Sequence, residues 1–330
     1  MTILPATLPL LVASARTLNS FVRELVLVDP NGAALPPYEP GSHIKVQIQN
    51  DLGQSDWRAY SLVDLPTEGE KFRNPSSYRL AVRLDVKGRG GSRFMHEGLQ
   101  QGSRIAAQYP RCDFRLMEHA GRAVLIAGGI GVTPLISLAS QLTRLGRQVC
   151  MTYAARSRSL ASYAEELQSL LGQSLTFHFD DAAAAPLNVE ALIDSCGPQD
   201  HLYVCGPPEM LRVLKQMAEA KGWGGERVHF EVFAEAITSP GEGGFELVLA
   251  QRGVTLQVPP GQSVLQSLID AGCDPMYDCM RGECGVCSVA VLDGEVEHRD
   301  FFLSEAQRRA GDVIQVCVSR PKGSRLILDL

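Results

Sequence analysis

Cys279-Met280-Arg281-Gly282-Glu283-Cys284-Gly285-Val286-Cys287 is the stretch on which the reading of this chain turns. Three cysteines stand at C-x4-C-x2-C spacing, and Cys317 follows about thirty residues later. Two irons need four thiolates; this spacing lets one tight loop supply three and a returning strand the fourth. Structural zinc sites usually pair two C-x2-C knuckles or add histidines at short spacing. Here one C-x2-C stands with no histidine beside it. Four unrelated buried cysteines would leave Gly282 and Gly285 unexplained, whereas glycines let a backbone wrap closely around a cluster and aim N–H groups at its sulfurs. The pattern predicts a [2Fe–2S] centre, with Cys279, Cys284, Cys287 and Cys317 as its ligands, and a protein that moves electrons.

The 330 residues exceed one ordinary core and predict two or three domains. Apolar content of 45% with 21% charged residues describes a globular protein. Nine cysteines is an odd number and no secretory leader precedes them. Thiolate ligation of iron also requires a reducing compartment, so the expected location is the cytoplasm. The apolar run from Leu8 to Ala13 is short and meets Arg16, which fits neither a signal peptide nor a membrane span. A net charge of −6 argues against nucleic acid as a partner. From Gly244 to Leu330 there are 12 acidic and 8 basic residues, so −4 of that charge lies in the cysteine-bearing tail. Such a tail favours a partner with a basic docking patch.

Residues 1–116 alternate strand-like runs with turn signals. Phe21 to Val28 is one run, closed by Asp29-Pro30-Asn31-Gly32; Ile44 to Ile48 and Tyr78 to Leu84 are others. Short strands at this spacing predict an antiparallel β-barrel. Residues 117–236 differ. Ala123-Val124-Leu125-Ile126-Ala127 reads as a strand buried on both faces, followed by a glycine turn and an amphipathic stretch from Pro134 to Leu145. Strand candidates at 148–153, 175–179 and 201–205 then alternate with helical patterns at 163–171, 189–193 and 209–221, which predicts a doubly wound α/β domain. Residues 237–244, rich in Gly, Ser and Pro, read as a flexible linker, and 245–330 as the cysteine-bearing domain.

Two turns of the α/β region suggest a nucleotide. Gly128-Gly129-Ile130-Gly131-Val132-Thr133-Pro134 follows the first buried strand, and Cys205-Gly206-Pro207-Pro208 follows another. Either alone is only a tight βα turn, but both lie at the carboxyl ends of strands, where such sheets bind ligands. In the barrel region, Arg58-Ala59-Tyr60-Ser61 offers a cation, an aromatic plate and a hydroxyl, and Gly88-Arg89-Gly90-Gly91-Ser92 a bare turn before a short helix candidate at 93–99. Singly, these read equally as an ordinary strand and a loose loop.

Taken in order along nearly the whole chain, these motifs and the cluster cysteines resemble the ferredoxin–NAD(P) reductase superfamily. More narrowly, they are similar to the phthalate dioxygenase reductase family, which includes the vanillate demethylase reductases. The resemblance implies an FMN barrel, an NAD domain and a C-terminal plant-type ferredoxin domain of the β-grasp kind. It implies that Arg58 and Ser92, with Ala59, Gly90 and Gly91, hold the FMN phosphate region. Tyr60 would stack on the flavin or its ribityl chain, Ser61 hydrogen-bond near flavin N5, and Phe233 cover the ring. Thr133 would line the flavin–nicotinamide junction and Cys205 stand beside the nicotinamide, so Ser61, Thr133 and Cys205 are the catalytic candidates. Gly128, Gly129, Gly131, Gly206 and Pro207 would cradle NAD, and Arg156 and Ser157 lie where its adenosine ribose belongs. Arg156 or Arg158 suits a 2′-phosphate, or is a solvated loop arginine; the family resembles NADH users, which selects NADH. The implied acceptor is a Rieske-type oxygenase or demethylase, with a haem-thiolate monooxygenase as the alternative. A redox-sensing or electron-storage module without turnover is a further alternative, against which the nicotinamide-type turns argue.

Other reactive residues show no constellation. Cys112, Cys150, Cys196 and Cys273 lack ligand spacing, and His43, His96, His119, His178 and His229 are scattered. Asp180-Asp181 reads as the solvated end of a strand. Phe230 reads as core.

Overall fold

The computed structural model describes residues 7–65, 71–86, 88–233 and 243–330. Of the expected linker, only Gly243 and Gly244 fall among them. The chain separates into two compact units, Met1–Glu231 and Val232–Leu330.

In the first unit, alternating apolar residues punctuated by turns give β1 (Thr7–Asn19), β2 (Val22–Val28), β3 (Ser42–Gln49), β4 (Ser55–Ser61), β5 (Tyr78–Arg83), β6 (Arg104–Gln108) and β7 (Arg111–Cys112). They pair antiparallel in the order β4-β3-β6-β1-β2-β5, with β7 on β3. In β3, Ile44, Val46 and Ile48 point into the core while Lys45 and Gln47 face outward, the period of two that a strand imposes. Val63, just past β4, donates its N–H to Arg79 O of β5 at 2.9 Å, joining the two ends of the sheet into a barrel. The apolar run at 8–13 does not stop at Arg16. β1 continues to Asn19 because Arg16 lies opposite Glu24 of β2, with Nε 2.6 Å from the buried carboxylate.

The second layer of this unit is β8 (Ala123–Gly128), β9 (Val149–Ala155), β10 (Leu175–Phe179), β11 (His201–Cys205) and β12 (Val228–Glu231), all parallel, in the order β10-β9-β8-β11-β12. All six residues of β8 are buried, which explains its uninterrupted apolar run. The one-turn α1 (Gly91–Arg93) belongs to the barrel. Helices α2 (Val132–Arg144), α3 (Ala164–Leu171), α4 (Val189–Asp194) and α5 (Pro208–Ala220) connect the parallel strands. Strand order reverses between β8 and β11, which places a ligand crevice at their carboxyl ends. Asp180 and Asp181 follow β10 in a turn, their N–H groups on Ala155 O and Arg156 O, as the sequence reading had it.

The histidines are less scattered than the sequence suggests. At the amino end of the parallel sheet, the His119 and His201 rings stack with centroids 4.0 Å apart, and His201 Nδ1 lies 3.1 Å from His229 Nε2. Desolvation pushes the His119 and His229 imidazoles down to about 4, and His201 also down. Their folded values lie below the unfolded value of roughly 6.5. The unfolded chain therefore gains protons first as pH falls, and the stability present above that value drains away toward pH 4. Thermal melts between pH 7.5 and 5 are expected to record a loss on the order of 1–2 kcal/mol, and His229→Phe to flatten that slope.

The second unit holds β13 (Phe245–Leu249), β14 (Val254–Val258), α6 (Val264–Asp270), β15 (Ser288–Asp293), β16 (Val296–Glu297), α7 (Glu305–Ala310), β17 (Val313–Gln315), β18 (Arg320–Pro321) and β19 (Arg325–Leu328). Its mixed sheet runs β14-β13-β19-β15-β17, with β13 and β19 parallel at the centre. Ser263 caps α6, and the Ser304–Gln307 capping box starts α7. Leu247, Leu265, Leu268, Ile314 and Leu326 fill a separate apolar core. Among the described residues, no helix is long and apolar enough to cross a membrane.

Candidate cofactor cradle, nucleotide turns and cluster loop

β4 delivers Arg58 and Tyr60 to one face and Ser61 to the other. Arg58 donates to Trp57 O at 3.0 Å and pairs with Asp56. It also lies over a turn distant in sequence: a Cβ on Gly91 would sit 3.2 Å from Arg58 Cγ. Gly90 has φ +88, and a Cβ there would strike Asp51. Glycine is thus required at Gly90 and leaves room for Arg58 at Gly91, and the two barrel motifs become one cradle of bare backbone beneath a guanidinium. Ser92 Oγ accepts the Asp85 N–H at 2.9 Å, and Arg93 reaches Asp51 at 2.9 Å. The expected helix at 93–99 is instead α1 followed by a wider turn over Phe94–Gly98. Tyr60 packs half-buried on the barrel core, and Ala59 is exposed. Ser61 is buried, and among the described residues its Oγ has no hydrogen-bond partner. A buried hydroxyl without a partner is costly, so this atom and the Arg58 cradle fit a polar ligand carrying an anionic group.

The two βα turns meet backbone to backbone. A Cβ on Gly131 would lie 2.1 Å from Cys205 O, and one on Gly128 2.5 Å from Pro207 Cδ and 3.2 Å from Gly206 Cα. Gly129 adopts φ +55. Thr133 is buried at the start of α2 with its Oγ1 on Ile130 O, 3.0 Å away, and Cys205 is fully buried at the end of β11. Glu231 pairs in register with Cys205 at the end of β12 and is 1% exposed. No motif in the sequence marks Glu231, although a carboxylate inside Phe230-Glu231-Val232-Phe233 is the kind of buried charge that marks a site. Phe230 is half-buried; Phe233 is 38% exposed and belongs to the second unit. At the end of β9, Arg156 is exposed, Ser157 Oγ lies 2.9 Å from Ser159 Oγ, and Arg158 is over the Phe177 ring.

In the second unit the four cysteines form two pairs. Cys279 and Cys284 hydrogen-bond to each other, and Cys287 Sγ lies 3.1 Å from Cys317 Sγ. The contact with Cys317 lowers the Cys287 thiol to about 7 and raises Cys317. Arg281 N–H points at Cys279 Sγ at 3.4 Å. Gly282 (φ +75) and Gly285 (φ +74) turn the loop; a Cβ on Gly285 would run into the Phe302 ring. Phe301 and Phe302 both donate N–H groups to Gly282 O, which pins the loop from behind. Glu283 accepts the Val232 N–H and pairs with Arg281 at 3.2 Å. Among the described residues no three Cys, His, Asp or Glu side chains gather to hold one metal ion. Two thiol pairs fit a dinuclear cluster, one pair to each iron.

Comparison with known proteins agrees with this anatomy. The oxidoreductase NAD-binding domain family matches residues 125–216, and the 2Fe-2S iron-sulfur cluster binding domain family matches residues 247–322. The vanillate O-demethylase oxidoreductase of Pseudomonas sp. (strain HR199 / DSM 7063) is 36% identical over 97% of this chain and 99% of its own. The heme-dependent oxidative N-demethylase beta subunit of Ectopseudomonas mendocina is 36% identical over 97% of each. The solved phthalate dioxygenase reductase, described as a modular structure for electron transfer from pyridine nucleotides to [2Fe-2S], superposes with a TM-score of 0.72 at 32% identity, covering 98% of both chains. This chain therefore belongs to the phthalate dioxygenase reductase family and is an NAD-dependent electron-transfer oxidoreductase of the oxygenase-system kind, with a C-terminal [2Fe–2S] domain.

Proposed function

We propose that this protein takes reducing equivalents from NADH at the β8–β11 crevice, through FMN in the barrel cradle, and passes them singly from the cluster loop to a separate oxygenase. The observation that carries the reading is one chain holding both the touching Gly131 and Cys205 turns and a loop with two thiol pairs. When bound, FMN supplies the conversion of a two-electron donor into two one-electron deliveries. Arg58, with Gly90, Gly91 and Ser92, holds its phosphate; Tyr60 stacks on the flavin or its ribityl chain, and Ser61 offers its hydroxyl. Gly128, Gly129, Gly131, Gly206 and Pro207 admit the dinucleotide, Arg156 and Ser157 meet its adenosine end, and Thr133 and Cys205 face the nicotinamide. The domains run 1–116, 117–236 and 245–330, with a linker at 237–244. Thiolate ligation of iron favours a cytoplasmic setting.

FMN follows from the family resemblance and from the Gly88-Arg89-Gly90-Gly91-Ser92 turn. Arg58→Ala is expected to weaken FMN binding by the apoprotein about 10- to 100-fold, the loss of a charge-assisted contact of roughly 1.5–3 kcal/mol, read by fluorescence titration.

The partner follows from the demethylase and dioxygenase relatives: a Rieske-type oxygenase or demethylase acting on an aromatic or other small organic compound. The N-demethylase relative, named heme-dependent, favours a haem acceptor as the second reading. Reconstituting purified protein with one oxygenase of each type under NADH separates them. An anaerobic preparation lacking iron and acid-labile sulfide even after reconstitution would sink both.

A further inference from the structure

Helix α2 is buried from Val132 through Ser140, yet Ser137 and Ser140 within that run are polar, and half-buried Arg144 follows on the same face. Ser137 Oγ donates to Leu62 O at 2.8 Å and accepts the Asp64 N–H at 2.9 Å. Ser140 Oγ donates to Asp64 O at 3.0 Å, and Arg144 pairs with the Asp64 carboxylate. Ser137 is 0% exposed, and Ser140 and Asp64 are 1% exposed. Alanine would pack such positions without any polar atom to satisfy, so shape alone does not call for serine. Apolar ridges tolerate some sliding, whereas hydrogen bonds fix a helix along its axis as well as about it.

What the bonds connect gives them meaning. Their targets, Leu62 and Asp64, directly continue the strand bearing Tyr60 and Ser61. Their donors share one helical face with Thr133, since positions 133, 137, 140 and 144 step by four, three and four. Thr133 stands one turn, about 6 Å, before Ser137. We infer that Ser137, Ser140, Arg144 and Asp64 form a register clamp that sets the reach of Thr133 relative to Ser61, and so the distance over which hydride passes. These are positioning residues, and the inference rests on the proposed NADH–FMN reading. The clamp leaves nucleotide affinity to the glycine turns and acts on the transfer step.

The test uses the full-length holoprotein with NADH and with NADH deuterated at the transferring C4 position. Wild type must bleach its flavin with NADH; if it does not, the functional reading fails, not the clamp. In Ser137→Ala, flavin reduction in the stopped flow is expected to slow about tenfold, the scale of a sub-ångström misplacement. The deuterium isotope effect should rise and the dissociation constant for NAD⁺ stay within about twofold. Ser137→Thr, which keeps the hydroxyl, should recover most of the rate. Hydrogen exchange of the Asp64 amide, measured with and without flavin, should accelerate in Ser137→Ala and not in Ser137→Thr. A wild-type rate and isotope effect in Ser137→Ala, with the Asp64 amide newly exposed to exchange, overturns the proposal. If Ser137→Ala does not fold, Ser140→Ala decides by the same readings.

Discussion

Cys284→Ser is expected to abolish reduction of cytochrome c while NADH still bleaches the flavin at close to the wild-type rate. Cys284 hydrogen-bonds with Cys279, so under the proposed ligation its loss leaves one thiolate where one iron needs two. A serine hydroxyl does not deprotonate near neutral pH as a thiol does, so it is a poor replacement ligand. One-electron output should fall by a factor on the order of 100 or more, with iron and the red-brown absorbance lost in parallel. The cradle and the nucleotide turns lie in the other compact unit with their own core and should keep their chemistry. Cys273→Ser is the control: Cys273 packs half-buried against the second unit's core, six residues before the motif begins. Unchanged cytochrome c reduction in Cys284→Ser would place the cluster outside the electron path.

Gly131→Ala is the second large effect. The backbone there, at φ −59, suits any residue, so conformational strain is not the argument. The argument is contact: the added carbon would stand 2.1 Å from the Cys205 carbonyl oxygen and 2.4 Å from its carbon, and backbone on both sides cannot give way cheaply. Relief requires the two turns to part, which opens the place where Thr133 and Cys205 are proposed to face the nicotinamide. Flavin reduction by NADH should fall about 100-fold, and the first unit should lose about 2 kcal/mol, the cost of overpacking. Gly129→Ala offers the contrast: its φ of +55 strains an alanine, yet no atom lies within 4 Å of the new carbon. It should lose roughly 1 kcal/mol of stability and far less of the rate. Stopped-flow reduction and thermal melts of the two variants read both quantities.

The features legible in the sequence were those with local causes. A strand buried on both faces announces itself as Ala123 to Ala127, and the turns after β8 and β11 carry glycines because two backbones meet there. The cysteine spacing is local in the same way. What escaped depends on partners far along the chain. β1 was obscured by Arg16, which reads as a terminator until Glu24 is set opposite it. The contact of Arg58 with Gly91 spans two strands and a loop, so either motif alone looked ordinary. His119, His201 and His229 come from a loop and two strands, and only the parallel sheet stacks them. Glu231 is visible only as a charge in an apolar run until register sets it beside Cys205. Ser137 and Ser140 read as part of an amphipathic helix, because nothing local says that both faces are covered.

Cys287 and Cys317 have a second allegiance: besides presenting sulfur, each is 3% exposed and packed in the same apolar core as Leu247 and Leu326. The hydrophobic burial that folds this module therefore also brings the last two sulfurs together. A lesion in that core therefore reaches the sulfurs without touching a ligand.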